Sequence, residues 1–282
     1  MRNLAGVFLA LAATMLASSC ATTPRNDRHW YPYLAHTTHV TLADDRFSVS
    51  PVTDWSYVRD NSGAREAGHE TRDASFAYSE LRGVWFVLEP QPGSTLAAHT
   101  FLMFEFSDDR LLGITIEARR EENETYSAIR GAFNAYELAY LWGSARDLLT
   151  RRAVMLDHEV FVYPVATTPQ QSHDLLVHLL QRTRDLETTP RWYNTLTSNC
   201  TNELAKATKL QWNPAFVLTG LSDNWLFAHH LIPGTSFEDA HRRSDMSDYV
   251  KTLNVSGAAA DDATFDHALL GELRHRFELH AN

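Results

Sequence analysis

Cysteine is nearly absent from this chain: Cys20 and Cys200 are the only two in 282 residues. That rules out a disulfide-rich scaffold and a cysteine-cluster metal site. Basic runs are also missing. Thirty-five acidic residues stand against 25 basic ones, for a formal charge of −10, which argues against nucleic acid as a partner. Past the N-terminal segment, no apolar run approaches the ~20 residues needed to span a bilayer. There is no G-x-S-x-G elbow, no phosphate-binding P-loop and no HExxH pattern. His229, His230 and His241 therefore read as histidines on helix surfaces, and neither a metal nor a cofactor is expected.

What is present begins with MRNLAGVFLALAATMLASSC. A basic start, an apolar stretch from Leu4 to Leu16 and small residues before Cys20 form a secretory signal over residues 1–19. The ending Leu16-Ala-Ser-Ser-Cys20 looks like a bacterial lipobox, which makes Cys20 the lipidation site. Ala21, rather than Asp, follows it, as in proteins sorted to the outer membrane. A lipidated Cys20 cannot form a disulfide, so Cys200 is an odd thiol in an oxidising compartment. Such a thiol is either reactive or buried and inert. Residues 20–38 read as a lipidated tether packing onto the body, 39–256 as one catalytic domain, and 257–282 as a linker and C-terminal helix. A hydrophobic content of 44% with seven Trp is ample for a core.

The fold class expected is α+β. Val40 to Val52 alternates around Ala43-Asp-Asp45 as a hairpin, while the charged residues 59–75 read as a loop. Val84 to Leu88 is a short buried strand. Ala98 to Phe106 and Leu111 to Ala118, joined by Ser-Asp-Asp-Arg, give the clearest antiparallel pair. Tyr136–Trp142 and Val160–Val165 read as further strands. Thr168-Pro-Gln-Gln opens a helix with a capping Thr, Pro at its first position and Gln171 three residues after the cap. Another helix begins at Cys200 and ends before Pro214; residues 214–243 are helical but broken, and a final helix covers Thr264–Leu279.

A thiol at a helix start carries chemistry. The helix N-terminus and a nearby imidazolium lower a thiol pKa of about 8.5 by several units. The unpaired N–H groups of the first turn can hold an oxyanion. Such a nucleophile needs a histidine base, and the base needs an orienting partner. Among fourteen histidines, His99 opens the strongest strand, on the face of Phe101 and Met103, as either a core residue or a base. In the hairpin register, opposed residue numbers sum to 216 or 217. The first value sets Glu117 across from His99, and a one-residue slip turns it to the other face.

HTFLMFEF, GITIEARRE, YSAIRGAFNAYELAYLWG and WYNTLTSNCTNEL resemble the periplasmic domain of the Lnb-type bacterial lipoprotein N-acyltransferases. That family is similar to the circularly permuted papain-like (NlpC-type) superfamily, which also includes lecithin–retinol acyltransferase. There the His strand precedes the Cys helix, and an Asn-Cys pair opens the helix, as Asn199-Cys200 does here. The resemblance implies a permuted papain-like fold with an antiparallel His-bearing sheet packed on the Cys helix. It makes Cys200 the nucleophile, His99 the base and Glu117 the polar residue on the next strand. Arg119, Arg120 and Tyr126 are candidates for an anionic headgroup, and Asn199, Trp192 and Tyr193 for the rest of the substrate cleft. Lnb-type enzymes join this domain to several membrane spans, and none is found in this sequence.

The function expected is a lipid-anchored envelope cysteine acyltransferase. It takes an acyl group from a phospholipid or lipoprotein ester, holds it as a thioester and passes it to an amine. The alternatives are a cysteine hydrolase acting on peptidoglycan amides or lipid esters, and a non-enzymatic envelope scaffold. The partners expected are a membrane lipid or lipoprotein substrate and an integral-membrane protein supplying the absent spans.

Overall fold

The structure is a computed structural model that describes residues 23–208, 210–257 and 261–279. Its centre is a nine-stranded sheet built from β1 (His39–Leu42), β2 (Arg46–Asp60), β3 (Gly63–Ala77), β4 (Leu81–Pro90), β5 (Ala98–Phe106), β6 (Arg110–Arg119), β7 (Tyr136–Gly143), β8 (Phe161–Pro164) and β9 (Trp192–Tyr193). The order is β1-β2-β7-β6-β5-β4-β8, with β3 on β2 and β9 on β7. Pairings are antiparallel except for the β2–β7 contact at Thr53 and Gly143, which is parallel.

Among the described residues eight α-helices accompany the sheet: α1 (Ala128–Ala132), α2 (Ala145–Thr150), α3 (Pro169–Thr188), α4 (Cys200–Ala207), α5 (Ser222–Ala228), α6 (Phe237–Ser244), α7 (Ser247–Ser256) and α8 (Asp262–Phe277). The class is thus mixed α+β, as expected. The capping box predicted at Thr168 is formed: its side chain accepts from the Gln171 N–H, and the Gln171 side chain accepts from the Thr168 N–H.

Period-2 alternation splits the sheet into two buried faces. Leu102 and Phe104 of β5 face a core that includes Leu176, Leu179 and Leu180 of α3 and Leu204 of α4. Phe101 and Met103 point the other way, into a core with Leu148 of α2, Val250 of α7 and Leu269, Leu270 and Leu273 of α8. The helix beyond residue 257, α8, therefore helps to build the second of these cores.

One difference from the sequence reading has a simple cause. Residues 59–75 mostly form strand, running through the end of β2 into β3, which pairs with β2 over almost its whole length. No apolar alternation marks β3 because most of it lies exposed beyond the sheet's body, where backbone hydrogen bonding holds it and charged side chains guard its free edge. Residues 23–38 lie against the domain, with Trp30, Tyr33 and Leu34 buried, and Tyr31 N–H donates to the Arg120 carbonyl. Cys20 falls outside the described residues. Among those described, no helix is long and apolar enough to cross a membrane.

Because Leu269 of α8 is wholly buried beneath β5, Leu269→Ala is expected to cost about 2–5 kcal/mol in denaturant unfolding. A loss under about 1 kcal/mol would mean that α8 is peripheral after all.

Candidate active site

The β5–β6 register runs Phe101↔Thr115, Leu102↔Ile114 and onward to Phe106↔Arg110, every pair summing to 216. Continuing it two residues toward the strand mouth brings His99 opposite Glu117. Their side chains meet there, His99 Nε2 to Glu117 Oε1 at 3.2 Å. Thr115, on the same face of β6, joins them. Its hydroxyl donates to Glu117 Oε1 at 2.8 Å and lies 2.6 Å from His99 Nε2. A hydroxyl has one proton, so with that proton on Glu117 it accepts from His99 Nε2–H. The tautomer is thereby set, and Nδ1 is the ring nitrogen left for other chemistry.

Cys200 arrives from the opposite side, as the first residue of α4. Asn199 caps this helix: its side-chain oxygen accepts from Asn202 N–H at 2.8 Å and its carbonyl from Glu203 N–H at 3.0 Å. The helix ends at Thr208, whose N–H returns to the Leu204 and Ala205 carbonyls. The α4–β5 seam is fixed by Thr201 and Thr100, with hydroxyls 2.8 Å apart. The Cys200 sulfur is 3.9 Å from the Thr201 hydroxyl.

The electrostatics couple these groups. Burial pushes the Cys200 thiol up, but the charge and hydrogen bonding of His99, with hydrogen bonds from Thr100, bring it below its ordinary value. Burial likewise opposes charge on His99, yet the Glu117 carboxylate and Cys200 thiolate push it up to about 10. Burial would raise Glu117 as well; the His99 charge and hydrogen bond, then Arg152 and Thr115, hold it well below the usual carboxylate range. Cys200 is 5% exposed, whereas the His99 and Glu117 side chains are 16% and 23% exposed, so the cleft opens on the histidine side.

Several supporting residues left no readable trace in the sequence. Arg152 lies in a single π-turn, Arg151–Met155, and its guanidinium bridges Glu89 (3.1 Å) and Glu117 (3.4 Å) while covering the Phe101 ring. Glu89 pairs with His99 across β4–β5, so the histidine has a carboxylate on each neighbouring strand. Hairpin arithmetic applied to β4 would have found Glu89; nothing local points to Arg152. Glu203, one turn into α4, is buried among five partners: Tyr140, Ser198, Lys206, Arg182 and Arg191. It pins the start of α4, with Cys200, to the sheet and to α3.

The candidate substrate residues divide. Arg119 is 3% exposed and donates to the Leu34 and Ala35 carbonyls and to Asn26, holding residues 26–35 to β6. The Asn199 amide oxygen caps α4 and its NH2 donates to the Thr195 and Phe216 carbonyls. Arg120 donates to the Glu124 carbonyl and lies over Tyr31, so it also serves the N-terminal segment. Tyr126 and Tyr193 bring their hydroxyls within 3.3 Å of each other, and burial together with the Cys200 charge raises Tyr193 well above an ordinary phenol. Trp192, its neighbour on β9, is half-buried.

The described molecule is therefore a mixed α+β domain with a histidine strand and a helix-opening cysteine brought together at one end of its sheet. A model of the Lnb N-terminal periplasmic domain matches residues 69–253, a span that includes His99, Glu117 and Cys200. The chain belongs to that family and is an Lnb-type protein of the cell envelope, with this domain on the periplasmic side. Comparison with curated proteins and with solved structures gives no match.

Glu203 sets a pH dependence of stability. Burial would raise its pKa, but hydrogen bonds from Lys206, Ser198 and Tyr140 and the charge of Arg191 lower it to about 2. A carboxylate with a depressed folded-state pKa stabilises fully above its unfolded pKa of about 4.3 and loses that stabilisation as pH falls toward 2. Glu203→Gln is expected to lose on the order of 3 kcal/mol at pH 7 and to flatten the acid limb of the stability curve. An unchanged acid limb in urea unfolding would contradict this.

Proposed function

We propose that this protein is a cysteine acyltransferase of the envelope, with Cys200 as nucleophile, His99 as base and Glu117, through Thr115, as the group orienting the base. The observation that carries the reading is the thiol at the start of α4, held below its ordinary pKa by an imidazole whose Nε2–H is already committed. The chain order, histidine strand before cysteine helix, and the packing of α4 on the histidine-bearing sheet support a permuted papain-like fold.

In this reading the Cys200 thiolate attacks the carbonyl carbon of an acyl ester in a phospholipid or lipoprotein. A C–S bond forms, and first-turn N–H groups of α4 stabilise the oxyanion. The C–O bond then breaks, and the leaving alkoxide takes its proton from the His99 imidazolium. In the second half an amine attacks the thioester, His99 accepts the amine proton, a C–N bond forms and the C–S bond breaks. The thiolate–imidazolium pair is restored.

Other features favour work at a membrane surface. Ile129 and Phe133 at α1 and Leu196 in the loop packed on it are exposed apolar side chains near Tyr126 and Tyr193. The N-terminal segment is held to β6 by Arg119, two residues beyond Glu117. A lipid on Cys20, as the Leu16-Ala-Ser-Ser-Cys20 ending suggests, would tether the outer-membrane-facing body at that end of the sheet, close to acyl donors that stay in the bilayer. An integral-membrane protein is the partner this reading calls for.

The near-complete burial of the Cys200 sulfur favours a second reading, an envelope scaffold with an inert packed thiol. Intact-mass spectrometry after incubation with phospholipid vesicles separates the two. An acyl adduct is expected on the wild type, absent in Cys200→Ala and formed ~10²–10⁴-fold more slowly in His99→Ala. No adduct on the wild type, together with a thiol that iodoacetamide reaches only after unfolding, would establish the scaffold. Free fatty acid without an acylated amine would make the enzyme a hydrolase.

A further inference from the structure

Beneath α4 lies a cavity of about 570 Å³ that the acyl-transfer site does not itself use. Phe86 and Leu102 of the sheet, Leu175 of α3, Leu204 of α4 and Leu226 of α5 contribute to its wall, so it is a cleft against the larger core, open to solvent on one side. Its volume lies in the range of sites that enclose a small molecule. A polar edge, Gln171, Asp174 and Gln181, comes from the exposed side of α3.

The cavity reaches the residue next to the sulfur. Thr201 lines the cavity and is also the residue whose hydroxyl faces the Cys200 sulfur. On a helix, residues three, four and seven apart share a stripe. Cys200 therefore stands at the head of the stripe of Leu204 and Ala207, both of which wall the cavity. Ala205 and Ala207, which leave room beside α4, have small side chains where larger ones would fill it. The segment closing another side supplies Leu210 and Phe216 to the wall and exposes Trp212 (63%) and Leu218 to solvent, giving an apolar approach from outside.

We propose that this cavity is the acyl-chain site: a single linear hydrocarbon chain lies in it while its carbonyl carbon is bonded to Cys200. The proposal rests on the acyl-transfer reading and adds to it a chain-length selector. A chain entering past Thr201 runs along the Cys200–Leu204–Ala207 stripe toward Leu226 and α3, and the end of the cavity sets the longest chain accepted. Each added methylene taken out of water strengthens binding roughly 4-fold until that end is reached.

The test separates binding from chemistry. Hexanoate, decanoate and palmitate, kept below their aggregation limits, are titrated by calorimetry into the Cys200→Ala protein, which cannot be acylated. The same series is run on Leu226→Trp and Val177→Trp in that background, each checked for a cooperative melt so that a misfolded variant is set aside in favour of the other. Affinity that rises steeply from hexanoate to decanoate, and falls at least 10-fold for palmitate when a folded plug is present, supports the proposal. Affinities that are flat with chain length, or unmoved by both plugs, overturn it even if wild-type protein forms a thioester. Chain-length-dependent binding without any thioester on the wild type would keep the cavity assignment and sink the transferase reading instead.

Discussion

The electrostatic coupling of the Cys200 thiol at the mouth of α4 to the His99 imidazole at the mouth of β5 is the interaction around which the neighbouring groups are arranged. Burial disfavours the ionised forms of both groups; His99 brings the thiol below its ordinary value, and Glu117 first, then Cys200, push the imidazole up. Glu117 adds the negative charge that keeps the ring cationic, Thr115 fixes which nitrogen is committed, and Arg152 keeps two carboxylates tolerable beside one histidine. The group behaves as one electrostatic unit in which removing any member changes the ionisation of the others.

That unit is positioned by ordinary fold-building forces. The alternation of β5 sends Phe101 and Met103 into one core and Leu102 and Phe104 into the other, which locks the register that carries His99 to Glu117. On the other side, the Asn199 cap and the buried Glu203 cluster set where α4 begins and how it lies on the sheet. The Thr100–Thr201 contact ties the two elements at the point where the chemistry is placed. Residues far from the sulfur therefore control its geometry without touching a substrate.

Much of this could be read from the sequence because it is local. The hairpin register follows from alternation and one short turn, and a helix starting at Cys200 follows from Asn199 and the apolar spacing after it. Interactions between distant segments could not be read. Glu203 carries no mark in the sequence; Arg182, Arg191, Lys206 and Tyr140 converge on it only in the fold. Arg152 sits in an irregular turn with no signature and acts across 35 and 63 residues of chain. That Arg119 holds the N-terminal segment is visible only in the packing. The strand over residues 63–77 was missed because pairing, rather than side-chain pattern, creates it.

The ion pair can be observed directly through the ultraviolet absorbance of thiolate, followed against pH in the native protein. Cys20 is removed by substitution so that Cys200 is the sole contributor. Absorbance should appear below the pH of about 8.5 at which a free thiol ionises, and in His99→Ala its onset should move upward, because burial is then opposed only by the Thr100 hydrogen bonds. Superimposable curves for the two proteins would show that the imidazole does not ionise the thiol, and the account of this site would fail.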